Sequence, residues 1–270
     1  MRKIIFTIVA LSFGWFSAAA FAQSGAIFLY RADAAGESVE TVVHTYYLRP
    51  DASLPPDIKA RGYIVADLLT GDVLLQKNSQ RAYPIASVSK LLTALVAIEQ
   101  KLENQDLLYP LLLESSNVTA DQIAKSFGTK TFISYINEKA LKLGMSSTHF
   151  ADPSGMSPRN VSSSADLLVL ARDIYKNRPE ILNITLLSTH GTWQNNNLFV
   201  QKHEDNYIGG KTGYTPEAKG ALVSLFALPV AGQELRPLAI ILLGTDSSRG
   251  VKYEVARSII DYVLANVYYK

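Results

Sequence analysis

The 270-residue sequence contains no cysteine. That absence excludes thiol nucleophiles, disulfides and zinc–thiolate sites, so the fold must be held by its core alone. Histidine is also scarce: the four are His44, His149, His190 and His203. None are paired at metal-ligand spacing, so no metal site is expected and no cofactor is implied. Charge is low, 19% of residues with a formal net charge of +2. Arg2 and Lys3 carry that excess, and the formal charge of residues 23–270 is 0. The basic character therefore belongs to the N-terminus and gives no electrostatic case for nucleic acid.

Long charge-free hydrophobic runs are lacking with one exception, residues 4–16, which follow Arg2-Lys3 and precede Ala18-Ala19-Ala20-Phe21-Ala22. A positive start, an apolar run and a small-x-small site describe a secretory signal over residues 1–22, cleaved before Gln23. The run is short for a membrane span. The body of the chain is expected outside the cytoplasm, touching a membrane only through this segment if it stays uncleaved.

Residues 23–60 read as a lead-in, with strand-like stretches at 26–30 and 39–48 and breaks at Pro50 and Pro55-Pro56. From residue 61 the patterns sharpen. Strands at 63–66 and 73–76 flank a turn with Gly71, forming a hairpin. Residues 87–103 have an apolar face at helical spacing with Ser87 near the start. Helical pieces follow at 107–113, 120–127, 131–143 and 162–177, the last stopped by Arg178-Pro179. Strands are expected at 207–213, 221–228 and 238–244, and a closing amphipathic helix at 251–267. Strands at both ends with helices between them define an α+β class: an antiparallel sheet flanked by helices with a mostly helical subdomain. The catalytic domain is assigned to 61–270, with the site between sheet and subdomain.

Three short motifs carry complementary chemistry. In Ser87-Val88-Ser89-Lys90 the spacing i, i+3 puts the Lys90 amine beside the Ser87 hydroxyl, and a lysine made neutral by burial or a second cation can act as base. The Ser87 N–H near a helix start can also face an oxyanion. In Ser115-Ser116-Asn117 a hydroxyl can relay a proton, and the Asn117 amide can hold Lys90 or a substrate carbonyl. In Lys211-Thr212-Gly213-Tyr214 a cation and a hydroxyl on a strand can bind a carboxylate. Gly213 permits close approach, and the Tyr214 N–H offers a second oxyanion donor. Each motif alone has a bland reading: a capping serine, a turn, an edge strand with a solvent-facing lysine. Together they supply the parts of acyl transfer.

S-x-x-K, S-x-N and K-T-G in this order resemble the signature of penicillin-binding proteins and serine β-lactamases. Tyr83-Pro-Ile-Ala-Ser-Val-Ser-Lys-Leu-Leu-Thr93, Leu143-Gly-Met-Ser-Ser-Thr-His-Phe-Ala-Asp-Pro-Ser-Gly-Met156, Ser163 to Ala171 and Gly210 to Val223 are similar to segments of the D-alanyl-D-alanine carboxypeptidases. The resemblance covers roughly residues 60–265. It implies a β-lactamase/transpeptidase-like fold and a peptidoglycan peptide as substrate. Ser87 would attack between two D-alanines, Lys90 would take its proton and Ser115 would protonate the leaving D-alanine. Asn117, Lys211, Thr212, Gly213 and Tyr214 would bind substrate, and β-lactams would acylate Ser87 as substrate mimics.

The sequence departs from the family in several places. Only residues 91–114 separate Lys90 from Ser115, so the helical subdomain is expected to be shortened, its chain returning from a helix about 25 Å long through an extended stretch. Val118 stands where aspartate commonly follows the asparagine, and Lys219 where glycine is usual. Alternatives to the carboxypeptidase are a DD-endopeptidase with the same machinery, a class A-like β-lactamase using a loop near Glu180, and a non-catalytic wall-binding protein.

Overall fold

The computed structural model describes residues 46–231, 234–246 and 250–269. The expected signal at 1–22, the strand at 26–30 and most of the strand at 39–48 lie outside them. Three residues of the latter form β1 (Tyr46–Leu48). The hairpin read around Gly71 is β2 (Gly62–Asp67) and β3 (Val73–Lys77), with Gly71 at φ 87° in the turn. A short β4 (Tyr83–Pro84) precedes a 3₁₀ turn (Ala86–Ser89) that runs into α1 (Lys90–Glu99).

The helical part then comprises α2 (Leu108–Leu112), α3 (Asn117–Ser126), α4 (Thr129–Lys142), β5 (Val161–Ser162), α5 (Ser164–Asn177) and α6 (Pro179–Leu186). Arg178-Pro179 does stop α5, but Pro179 also opens α6, where its missing N–H costs nothing. Glu180 is therefore helical and exposed, not in a loop. A small hairpin follows, β6 (Thr189–His190) and β7 (Trp193–Gln194), then α7 (Leu198–Gln201). The chain closes with β8 (Tyr207–Thr215), β9 (Lys219–Ala231), β10 (Glu234–Thr245), α8 (Val251–Asn266) and β11 (Val267–Tyr269).

β3-β2-β10-β9-β8 form one antiparallel sheet, so β2 pairs with a strand some 170 residues later in sequence. Its register sorts the side chains of β10. Ala239, Ile241 and Leu243 enter the core shared with α1 to α6, while Leu238, Ile240 and Leu242 enter the core under α8. A strand covered on both faces reads as a continuous apolar run, as Leu238 to Leu243 does.

Residues 46–60 of the lead-in pack against the rest of the chain. β1 pairs with β11, Ile58 and Ala60 are buried in the core beneath α8, and the Tyr46 hydroxyl donates to Asp67 at 2.5 Å. Helix α1 ends at Glu99, four residues before the expected end, so it spans only about 15 Å. Leu102 tucks into the core, and Asn104 caps a short 3₁₀ turn (Gln105–Leu107) leading into α2. The return to Ser115 is thus a compact helical one, with no extended segment.

Candidate active site

The 3₁₀ form of Ala86–Ser89 decides how the first motif works. With three residues per turn, side chains at i and i+3 eclipse, so Lys90 stands directly over Ser87. Its Nζ lies 2.9 Å from Ser87 Oγ, 2.7 Å from Asn117 Oδ1 and 2.6 Å from the Ser154 carbonyl oxygen. Lys90 is fully buried, and burial pulls its amine down to about 8 against the ordinary lysine 10.5, with Asp152 and Asp121 pulling the other way. At pH 7 roughly one amine in ten is then neutral, against about one in three thousand for an ordinary lysine. The two expected contacts of Lys90, with Ser87 and Asn117, are therefore both present, and the short 91–114 segment does reach.

Ser116 caps α3, its hydroxyl accepting from Thr119 N at 3.1 Å, and this places Asn117 in the first turn aimed at Lys90. Ser115 sits just before the cap with φ 62°, and its Oγ is buried with no hydrogen-bond partner among the described residues. A buried hydroxyl without a partner costs free energy unless a ligand or water meets it. The preceding carbonyls are gripped from the β6–β7 side: Asn196 N donates to Leu113 O at 3.1 Å and Asn196 Nδ2 to Glu114 O at 2.9 Å.

Lys211 is on the edge strand β8 but is not solvent-facing: it is 2% exposed. Its Nζ donates to Thr212 O at 3.0 Å. Burial, then Lys90 and Lys252, push its amine well below the usual lysine range. Gly213 explains how β8 comes so near Ser87. A Cβ there would lie 2.8 Å from Ser87 N and 3.0 Å from Ala86 Cβ, closer than a side chain tolerates. Tyr214 follows, half-exposed.

Several residues of the site went unread in the sequence. Ala86 has φ 47°, an alanine in the left-handed region just before Ser87. Thr93 Oγ1 donates to Pro153 O at 2.7 Å, clamping the 152–157 loop onto α1. Gly155 packs so tightly there that a Cβ would sit 2.0 Å from Ala86 O. Lys252 of α8 is buried behind the third motif, its Nζ donating to Gly213 O at 3.4 Å. Ala86, Thr93 and the 152–155 turn lie inside the family-like segments quoted above, but their contacts join segments distant in sequence and gave no local signal.

A helix-borne serine with a buried lysine one turn on, facing the edge of an antiparallel sheet, is the architecture of the penicillin-binding and transpeptidase enzymes. The profile of the D-alanyl-D-alanine carboxypeptidase family, peptidase S11, matches residues 50–104 and 97–227. The chain is 32% identical over 219 residues to D-alanyl-D-alanine carboxypeptidase DacB2 of Mycobacterium tuberculosis, covering 67% of this chain and 75% of that protein. It is 29% identical over 219 residues to a D-alanyl-D-alanine endopeptidase of Pseudomonas aeruginosa, covering 64% and 70%. The crystal structure of a D-alanyl-D-alanine carboxypeptidase from Mycobacterium tuberculosis matches with a TM-score of 0.69 at 29% identity, over 80% of this chain and 95% of that one. The chain belongs to the D-alanyl-D-alanine carboxypeptidase family.

Proposed function

We propose that this chain is a serine DD-peptidase that removes the terminal D-alanine from peptidoglycan stem peptides through an acyl-enzyme on Ser87. The observation that carries the reading is the Lys90 amine, 2.9 Å from Ser87 Oγ and lowered to about 8. Neutral Lys90 takes the Ser87 proton as Oγ attacks the carbonyl between the two D-alanines. The Ser87 and Tyr214 N–H groups face the oxyanion. The C–N bond breaks as a proton reaches the departing amine from Lys90 through Ser115. Water then attacks the ester, giving its proton to Lys90, and Ser87 is restored. Lys211 and Thr212 hold the substrate carboxylate, Gly213 lets it approach, and Asn117 fixes Lys90 and the substrate amide. No metal or cofactor enters these steps.

The test is intact-protein mass spectrometry with benzylpenicillin. The mass of one penicillin is expected on a peptide containing Ser87, and none on Ser87→Ala. Absence of any adduct on a folded chain sinks the reading.

A second reading, cleavage of cross-links by the same machinery, is favoured by the name of the Pseudomonas relative, an endopeptidase. Digestion of purified muropeptides separates the two: loss of one D-alanine from monomeric pentapeptide, or conversion of cross-linked dimers to monomers. Residues 1–22 are proposed as a cleaved export signal and 61–270 as the catalytic domain. N-terminal sequencing of protein recovered from the cell envelope should begin at Gln23.

A further inference from the structure

The three polar partners of Lys90 Nζ are all neutral: a hydroxyl, an amide oxygen and a main-chain carbonyl. Three charged groups interact with it from the surrounding elements. They are Asp152 in the loop before β5, Asp121 on α3, and Lys211 on β8, which itself feels Lys252 of α8. Asp121 is exposed, so solvent screens it. Asp152 is half-buried and its carboxylate is held below the usual range by three main-chain donors despite the cost of burial.

Those donors shape the loop. Asp152 Oδ1 accepts from Ser154 N at 2.8 Å, Ser154 Oγ at 3.0 Å and Gly155 N at 2.6 Å, and Oδ2 accepts from Ser157 N at 2.6 Å. Asn160 Nδ2 donates to the Asp152 carbonyl at 2.8 Å. The same turn delivers the Ser154 carbonyl to the amine, while Thr93 and Gly155 fix it against α1. One carboxylate therefore folds the loop that touches Lys90 and also places a negative charge near an amine that has no anion in contact. A direct ion pair would keep the amine protonated and useless as a base. Burial with no anion nearby would leave it neutral but weakly basic. A carboxylate held one loop away lies between these limits.

We propose that Asp152 is a positioning residue for the Lys90 base: its carboxylate folds residues 152–157 so that the Ser154 carbonyl seats the amine, and its charge sets the pH at which that amine becomes competent. The inference rests on Lys90 being the base that activates Ser87.

The test is the second-order rate constant for acylation by nitrocefin, measured from pH 6 to 10 for the wild-type chain, Asp152→Asn and Asp152→Glu, with thermal melts alongside. Removing the negative charge disfavours the ammonium, so the acid limb of Asp152→Asn should move to lower pH by about half a unit or more. Asp152→Glu keeps the charge but displaces the acceptors. Its limb should stay near the wild-type position while its plateau falls about tenfold. A folded Asp152→Asn with lower melting temperature but unchanged limb and plateau would reduce Asp152 to a turn cap and overturn the proposal. A wild-type plateau in Asp152→Glu would do the same if the Asn variant fails to fold. If neither variant folds, titration of 13C-labelled Lys90 in the wild-type chain decides. A midpoint near 8 supports the proposal, and one far below it shows that the Asp152 charge does not reach the amine. A wild-type chain that nitrocefin does not acylate at all fails earlier, at the function itself.

Discussion

Ala86, Ser115 and Lys219 are L-residues with φ of 47°, 62° and 59°. Each costs on the order of 1 kcal/mol relative to a residue at ease there. For Ala86 and Ser115 the cost sits beside Ser87 and at the buried hydroxyl, where a fixed and unusual backbone aims the side chain of the proposed site. Lys219 is different. It follows the three-residue loop that joins β8 to β9, where a left-handed residue completes the turn, and this accounts for the glycine usual at its position. Lys219→Gly should raise the melting temperature by roughly 1–3 °C without changing acylation, since the strain relieved is partly offset by unfolded-chain entropy. Ser115→Ala should leave the fold intact and slow acylation about a hundredfold, the usual scale for one proton-transfer group. Thermal melts read the first shift, and stopped-flow nitrocefin assays read both acylation rates.

At the scale of elements, the β6–β7 hairpin holds the Ser115 segment. His190 and Trp193 are cross-strand partners and so project to the same face. Their rings lie nearly parallel to that of Tyr109 on α2, with Tyr109 and His190 centroids 3.6 Å apart. Next to the stack, Asn196 grips the carbonyls that precede Ser115. The turn that carries Ser115 is thus braced by a segment some eighty residues later in the chain. Asn196→Ala removes the side-chain bond and should cost about 1 kcal/mol of stability by urea titration. It should also lower acylation more than Trp193→Ala, which leaves the Asn196 bonds in place. Equal rates in wild type and Asn196→Ala would show that the grip is dispensable.

Over the whole molecule, the buried charges govern stability. Asp67 is fully buried and accepts from Tyr46, Arg236, Leu69 N and Thr70 N, tying β1, β2, the β2–β3 turn and β10 together. Asp67→Ala leaves Arg236 facing an emptied site and should cost about 3–5 kcal/mol. The lysines act with the opposite sign. Lys90 is lowered on folding, so between about 8 and 10.5 the unfolded chain binds more protons than the folded one, and stability rises with pH across that window. Lys211 adds to the same trend. Thermal melts from pH 7 to 10.5 should therefore show a rising midpoint, with a shallower slope in Lys90→Met. A slope unchanged by Lys90→Met would contradict burial of the amine as a cost of folding.

The sequence by itself determined the α+β class, the hairpin at Gly71, the strands of the closing sheet and most helix positions, because periods of 2.0 and 3.6 are written locally in the residues. It also placed Ser87, Lys90 and Asn117 in motifs whose spacing maps onto a single turn and a cap, and the structure brings these three side chains together. Only the tertiary structure decided that Lys211 is buried, although β8 is an edge strand, and that residues 46–60 join the core. The contacts from Ser154, Asn196 and Lys252 likewise depend on long-range packing. Burial and charge proximity are properties of atoms brought together from segments tens of residues apart, so no local pattern encodes them. The lowered pKa of Lys90, on which the proposed role as base depends, belongs to that second kind.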